Sequence, residues 1–129
     1  MKFCYNQFMS LKDNIQKGRI GEDIAKSYLL NLGYKIIDSN WHYSKNAEID
    51  IIAEDNKTLV FIEVKTRTSL NYGHPFEAIN QTKINKIQSA ILAYLSISDK
   101  KYISYRFDGI AIIGLENPTI EHIKNLGQF

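Results

Sequence analysis

Three residues combine types and spacing that can do chemistry: Asp50, Glu63 and Lys65, each set in a run of Ile, Val, Phe and Ala. Charges in apolar strands need an explanation, because an unpaired buried carboxylate costs several kcal/mol or simply protonates. A divalent cation would supply one. Mg²⁺ is typically held by one or two carboxylates plus waters and phosphate oxygens, so Asp50 and Glu63 suffice as direct ligands for Mg²⁺ or Mn²⁺. Held there, the ion would polarise a phosphoryl oxygen, stabilise the leaving oxygen and help generate hydroxide from water. Lys65, two residues beyond Glu63, would orient that water or offset charge building on the phosphorane.

The strands that carry these residues must bring them to one side. A period of two puts Glu48, Asp50 and Ile52 on one face of the first strand, with Ala47, Ile49, Ile51 and Ala53 on the other. In the next strand it groups Leu59, Phe61, Glu63 and Lys65, with Val60, Ile62 and Val64 on the reverse. The tetrapeptide Glu54-Asp55-Asn56-Lys57 between them suits a β-hairpin turn. An even loop makes even-numbered residues oppose odd ones. A four-residue loop at Asp55 to Thr58 would set Asp50 directly opposite Glu63, and a two-residue turn at Asp55-Asn56 would set them diagonally. An odd loop without a bulge would put them on opposite surfaces. Glu-x-Lys alone is commonly a solvated ladder on an edge strand; the matching Asp50 is what lifts it above that.

The remaining elements follow from periodicity. Ile20, Gly21, Ile24, Ala25, Tyr28, Leu29 and Leu32 cover half a helical wheel, predicting a helix over 20–32 that ends at Gly33. Strands are expected over 34–43, 47–53 and 58–67, then a surface loop over 68–75, a helix over 76–95, and strands over 102–113 and 119–123. The order is α-β-β-β-α-β-β, an α/β fold. Glu22 shares a stripe of the first helix with Gly18, Ala25 and Leu29, so it could point along the sheet, although a helix Glu usually serves solubility. Gly18 and Gly21 are costly inside a helix and imply a helix start or backbone packed close to something.

Bulk properties exclude several classes. With 129 residues and 44% hydrophobic content the chain suits one domain with a real core, taken as 17–129 after an N-terminal extension over 1–16. A net charge of +2 is no general polyanion binder, so any nucleic-acid surface must be local. The single cysteine, Cys4, cannot form an intrachain disulfide. No signal-peptide stretch and no apolar run long enough for a bilayer is present, so no membrane association and a cytoplasmic location are expected.

The blocks Gly18-Arg19-Ile20-Gly21-Glu22, Asn40-Trp41-His42, Ala47-Glu48-Ile49-Asp50-Ile51-Ile52 and Phe61-Ile62-Glu63-Val64-Lys65-Thr66-Arg67 resemble successive motifs of the YraN-like family. Lys83 in the second helix and Arg106-Phe107-Asp108 also fit. These small bacterial proteins are grouped with Holliday-junction-resolvase-like nucleases in the PD-(D/E)xK superfamily, and the resemblance runs from about Lys17 to the C-terminus. It implies a restriction-endonuclease-like core with a central mixed sheet flanked by helices. It also implies that Glu22 joins Asp50 and Glu63 around the metal through water, with Lys65 as the catalytic lysine. The family often has Gly at position 47 and Arg at position 42, where this chain has Ala47 and His42.

Arg67, His42, Lys83 and Lys86 are the candidate phosphate contacts. His74, before Pro75, would approach substrate or cap a turn. Trp41, Tyr43 and Tyr72 could stack on bases, but aromatic residues in a sheet are more often core. The expected activity is Mg²⁺- or Mn²⁺-dependent endonucleolytic hydrolysis of DNA, with branched or damaged DNA the structured substrate in view, and a homodimer would suit a two-fold branched substrate. The alternatives are a catalytically silent module that grips nucleic acid with a nuclease fold and, more weakly, an ion-paired strand edge whose role lies in protein contacts.

Overall fold

In the computed structural model, which describes residues 2–45, 47–71, 73–77, 79–114 and 116–127 (backbone alone for 2–14), the elements run α1 (Lys2–Asn31), β1 (Lys35–Ser44), β2 (Ala47–Asp55), β3 (Thr58–Arg67), α2 (Gln81–Ile97), β4 (Ser104–Ile113) and β5 (Thr119–Ile123). The strands form one mixed sheet in the order β1-β2-β3-β4-β5. Every pair is antiparallel except β3 and β4, which are parallel because α2 crosses over between them. One helix covers each face. Ala25 and Leu29 of α1 pack on Ile51, Ala53, Val60, Ile62, Ile110 and Ile112. Ile87, Ala90 and Ile91 of α2 pack on Ile52, Leu59, Phe61 and Phe107.

Helix α1 begins far upstream of Ile20 and crosses the expected boundary at 16/17 without a break. Its end is where expected. Gly33 takes φ 91°, its N–H donates to Leu30 O at 3.0 Å, and Tyr34 N donates to Leu29 O at 3.0 Å. That is a Schellman cap, closed by apolar contact between Tyr34 and Leu29 in the same core.

Helix α2 starts later than periodicity suggests, at Gln81 rather than Phe76. Asn80 caps it by accepting from Lys83 N at 2.9 Å. Phe76 is buried, but as the anchor of the preceding turn: a Cβ on Gly109 of β4 would meet its ring at 2.9 Å. His74 holds that turn, its Nδ1 accepting from Phe76 N at 3.2 Å and its Nε2 contacting Glu121. The turn-capping role is therefore the one observed.

The two helix glycines have different explanations. A Cβ on Gly21 would lie 1.9 Å from Thr66 Oγ1 and 3.1 Å from Thr66 Cβ, so α1 rides directly on β3 at this point. A Cβ on Gly18 would meet nothing within 4 Å. Gly18→Ala should therefore raise stability by up to about 1 kcal/mol through helix propensity. Gly21→Ala should forfeit that gain to overpacking of about 1–3 kcal/mol. Urea denaturation of the two variants checks this, and equal stabilisation of both would contradict the close approach.

Candidate active site

The hairpin joining β2 and β3 pairs Asp55 with Thr58 and Ile51 with Ile62. The turn residues are Asn56 and Lys57, with Asn56 at φ 56°, a conformation Asn tolerates. The loop is thus even, as the site requires. Its turn lies one residue later than a two-residue turn at Asp55-Asn56, and the register is the one expected of the four-residue loop. Continued by one residue, that register sets Asp50 opposite Glu63.

The regular β2–β3 pairing stops at Ile51 and Ile62, while β2 continues back to Ala47 beside β1 and β3 continues to Arg67 beside β4. The strands splay. In the opening, the Asp50 carboxylate takes the place of a strand carbonyl and accepts Val64 N–H at 2.8 Å through Oδ2. The alternation expected along β2 breaks at this residue: Ile51 and Ala53 join the α1 core, whereas Ala47 and Ile49 join the α2 core. Across from this break, in β1, Asn40 adopts φ 52° between the pairs Ser39–Ile51 and Trp41–Ile49.

A cavity of about 790 Å³ opens at the splay, lined by Glu22 from α1, Glu48 and Asp50 from β2, Glu63 and Lys65 from β3, and Lys83 and Lys86 from α2. Glu63 faces α2. Its Oε1 forms ion pairs with Lys83 Nζ at 2.7 Å and Lys65 Nζ at 3.2 Å, and among the described residues its buried Oε2 has no hydrogen-bond partner. Burial pulls the Lys83 ammonium down, but its hydrogen bond to Glu63 and that carboxylate's charge outweigh this and hold it above the ordinary lysine range. Burial pushes the Asp50 carboxyl up to about 7, against the opposing pull of Val64 N–H, and the nearby Glu22, Glu63 and Glu48 push the same way. Desolvation also raises Glu22, while Asn40 draws it back. With its amide oriented to donate, Asn40 reaches Glu22 Oε2 and Glu48 Oε1, both at 3.2 Å, and so links α1 to β2 across the sheet.

Asp50, Glu63, Lys65, Glu22, Lys83, Lys86 and Arg67 thus all border one cavity. Arg67 is exposed at its rim and donates through Nη1 to Thr66 O at 2.9 Å. His42 does not line it. That side chain turns to Glu48 at 3.6 Å, its partner across the β1–β2 ladder. Trp41 is partly buried against the α2-side core, edge-on to Tyr94 of α2, and Tyr72 lies outside the described residues. Lys17 and Lys45 also line the cavity and escape sequence reasoning, since nothing in periodicity distinguishes a rim lysine from a solvated one. Asn40 carries a usable signal: it interrupts an otherwise β-prone run with a residue that tolerates positive φ.

Whether the donors fit a divalent cation can be tested on two of these observations. Among the described residues Glu63 Oε2 is a buried acceptor without a hydrogen-bond partner, and Asp50 is a carboxylate that burial, and after it the nearby carboxylates, make costly to ionise. Both would be relieved by a hard cation between them. The pair therefore fits; among the described residues, however, no three His, Cys, Asp or Glu side chains stand close enough to form a ready-made metal cage.

An α/β domain with a carboxylate-and-lysine cavity at a splayed hairpin is the class of protein that the fold and this cavity define. The family described as "Uncharacterised protein family UPF0102" matches residues 21–112, and the chain belongs to that family, the YraN-like family its motifs resemble. Similar relatives are UPF0102 proteins of Persephonella marina, 47% identical over 109 residues (84% of this chain, 90% of the relative), and of Prosthecochloris aestuarii, 45% identical over 115 residues (84% and 90%). A third, from Renibacterium salmoninarum, is 38% identical over 121 residues, covering 91% of this chain and all of the relative. Among the described residues no helix is long and apolar enough to cross a membrane.

Proposed function

We propose that this protein is a metal-dependent nuclease of the PD-(D/E)xK type, hydrolysing phosphodiester bonds in DNA, with branched or damaged duplexes as its substrates. The observation that carries the reading is Asp50, Glu63 and Lys65 lining one cavity at the splay, with Glu63 Oε2 left without a hydrogen-bond partner among the described residues. Asp50 and Glu63 would hold Mg²⁺ or Mn²⁺ directly and Glu22 through water; the ion would supply Lewis-acid stabilisation of the charge developing on the phosphoryl oxygens. Lys65 orients the attacking water and offsets charge on the phosphorane. Lys83 and Lys86, with Arg67 at the rim, neutralise the phosphates on either side.

A binding module that grips DNA without cutting is the second reading, favoured by Glu63 Oε1 already holding two ammonium groups. One experiment separates the two: labelled branched, nicked and linear DNAs incubated with and without Mn²⁺, using wild type and Lys65→Ala. The nuclease reading expects Mn²⁺-dependent cleavage that falls about 100-fold or more in Lys65→Ala, the loss expected from a positioned charge or proton-handling group. Retention of DNA without cleavage, indifferent to Mn²⁺, would favour the silent module and overturn the nuclease.

A further inference from the structure

Beside the cavity lies an aromatic pair that the hydrolytic machinery does not use. Trp41 is wedged edge-on against Tyr94 of α2, with ring centroids 5.3 Å apart and planes at 86°, so its position is fixed by the core. Tyr43 lies nearly parallel to it, at 13° with centroids 6.4 Å apart, yet remains 53% exposed. The register of β1 against β2 shifts between His42 and Ser44, an irregularity of the kind that re-aims a side chain. A large exposed aromatic ring held parallel to a half-buried one that is itself packed on the core is a preorganised stacking surface, because little side-chain freedom remains to be lost on binding.

Its surroundings indicate the occupant. Trp41 pairs with Ile49 and Ser44 with Ala47, and both Ile49 and Ala47 line the cavity, as does Lys45 just beyond the strand. Lys17 and Lys86 line the same cavity, so cationic groups that suit a phosphate backbone sit in the cavity bordered by the β2 residues that pair with the ring's own strand. A duplex keeps its bases stacked inside and offers the ring nothing; an unpaired nucleotide offers a π-face.

We infer that the exposed face of Tyr43 is a stacking subsite for an unpaired nucleobase next to the phosphate held in the cavity, so that the substrate class is nucleic acid with a single-stranded segment at the point of attack. This rests on the proposed nucleic-acid role of the cavity. Such stacking is sequence-tolerant and needs no metal.

The test is binding in EDTA, by anisotropy of a labelled blunt duplex and of the same duplex carrying a short unpaired tail, with deoxyribose and ribose tails as separate arms. The tailed duplex should bind about tenfold more tightly than the blunt one, within the range of one stacked base. The chain has one tryptophan, so a change in intrinsic fluorescence on adding the tailed form reports on Trp41 itself. Tyr43→Ala should erase the tail preference and Tyr43→Phe should keep it. Equal binding of blunt and tailed duplexes, or an equal loss for both in Tyr43→Ala, would overturn the subsite. Cleavage of blunt duplex with no tail preference would remove this inference alone; a Tyr43-dependent tail preference without Mn²⁺-dependent cleavage would remove the nuclease reading alone. Binding to no nucleic acid would remove both.

Discussion

Asp50→Asn should abolish DNA cleavage and at the same time stabilise the fold at pH 8, by about 2–4 kcal/mol, on the order of 10 °C in Tm. The sign follows from linkage. The Asp50 carboxyl is raised from 3.8 to about 7, so the folded state holds its proton more tightly than the unfolded chain. Below pH 4 the group is protonated in both states and its stabilising effect is fully present. Between pH 4 and 7 the unfolded chain ionises first, and stability falls by about 1.4 kcal/mol per pH unit. Above 7 the loss is complete. Asparagine has no such loss and can still accept the Val64 N–H, so its advantage should be large at pH 8 and vanish near pH 4. Mn²⁺ should reverse the ranking by relieving the crowded carboxylates of the wild type, raising its Tm at pH 8 while leaving Asp50→Asn unmoved. Cleavage should drop by about three orders of magnitude in the variant, as when one direct metal ligand is lost. Thermal melts across pH with and without Mn²⁺ check this, and a variant less stable than wild type at pH 8 would contradict the assignment.

Hairpin parity made this much legible in the sequence, because it depends only on counting loop residues, and Asp50, Glu63 and Lys65 do meet in one cavity. The face switch within β2 was not legible. It falls opposite Asn40, which adopts a left-handed conformation in the neighbouring strand, and alternation within β2 carries no trace of it. The early start of α1 was legible but passed over: Cys4, Phe8, Leu11 and Ile15 recur at four, three and four, the spacing of a helical stripe. The late start of α2 was hidden because Phe76 is apolar at a helical spacing but serves the turn that packs on Gly109. Glu22 was placed by resemblance alone, and its link through Asn40 to Glu48 is a tertiary contact that no local pattern encodes.

The same local signal, a carboxylate in an apolar strand, has two outcomes in this chain. Asp50 is raised first by burial and then by the nearby carboxylates, against the single opposing pull of the Val64 N–H, as expected of a functional group. Asp108 on β4 is fully buried and saturated: it accepts from Arg106 Nε at 3.0 Å on both oxygens, from His122 Nε2 at 2.7 Å and from Asn125 N at 3.1 Å. The network extends through Arg106 Nη2 to the Tyr34 hydroxyl at 2.6 Å and through His122 Nδ1 to the Tyr28 hydroxyl at 3.2 Å. With Nε2 donating to Asp108, Nδ1 is the ring nitrogen left to meet the Tyr28 hydroxyl. Asp108 therefore joins β4, β5 and the end of α1, which is a structural task.

The two carboxylates should respond oppositely to substitution. Asp108→Ala should cost about 3–5 kcal/mol, because it leaves the Arg106 guanidinium largely buried without its main counter-charge and His122 without an acceptor. That is on the order of 15 °C in Tm for a domain of this size. Arg106→Met combined with Asp108→Leu should recover part of the loss, since it removes both charges rather than stranding one. Where Asp108→Ala remains folded, Mn²⁺-dependent cleavage per folded molecule should stay within about tenfold of wild type, or 1.4 kcal/mol in the barrier. Calorimetry together with cleavage assays at low temperature measures both. A stable Asp108→Ala variant that has lost cleavage would move Asp108 from the scaffold into the catalytic machinery. It would also mean that hydrogen-bond saturation does not separate a structural carboxylate from a functional one in this fold.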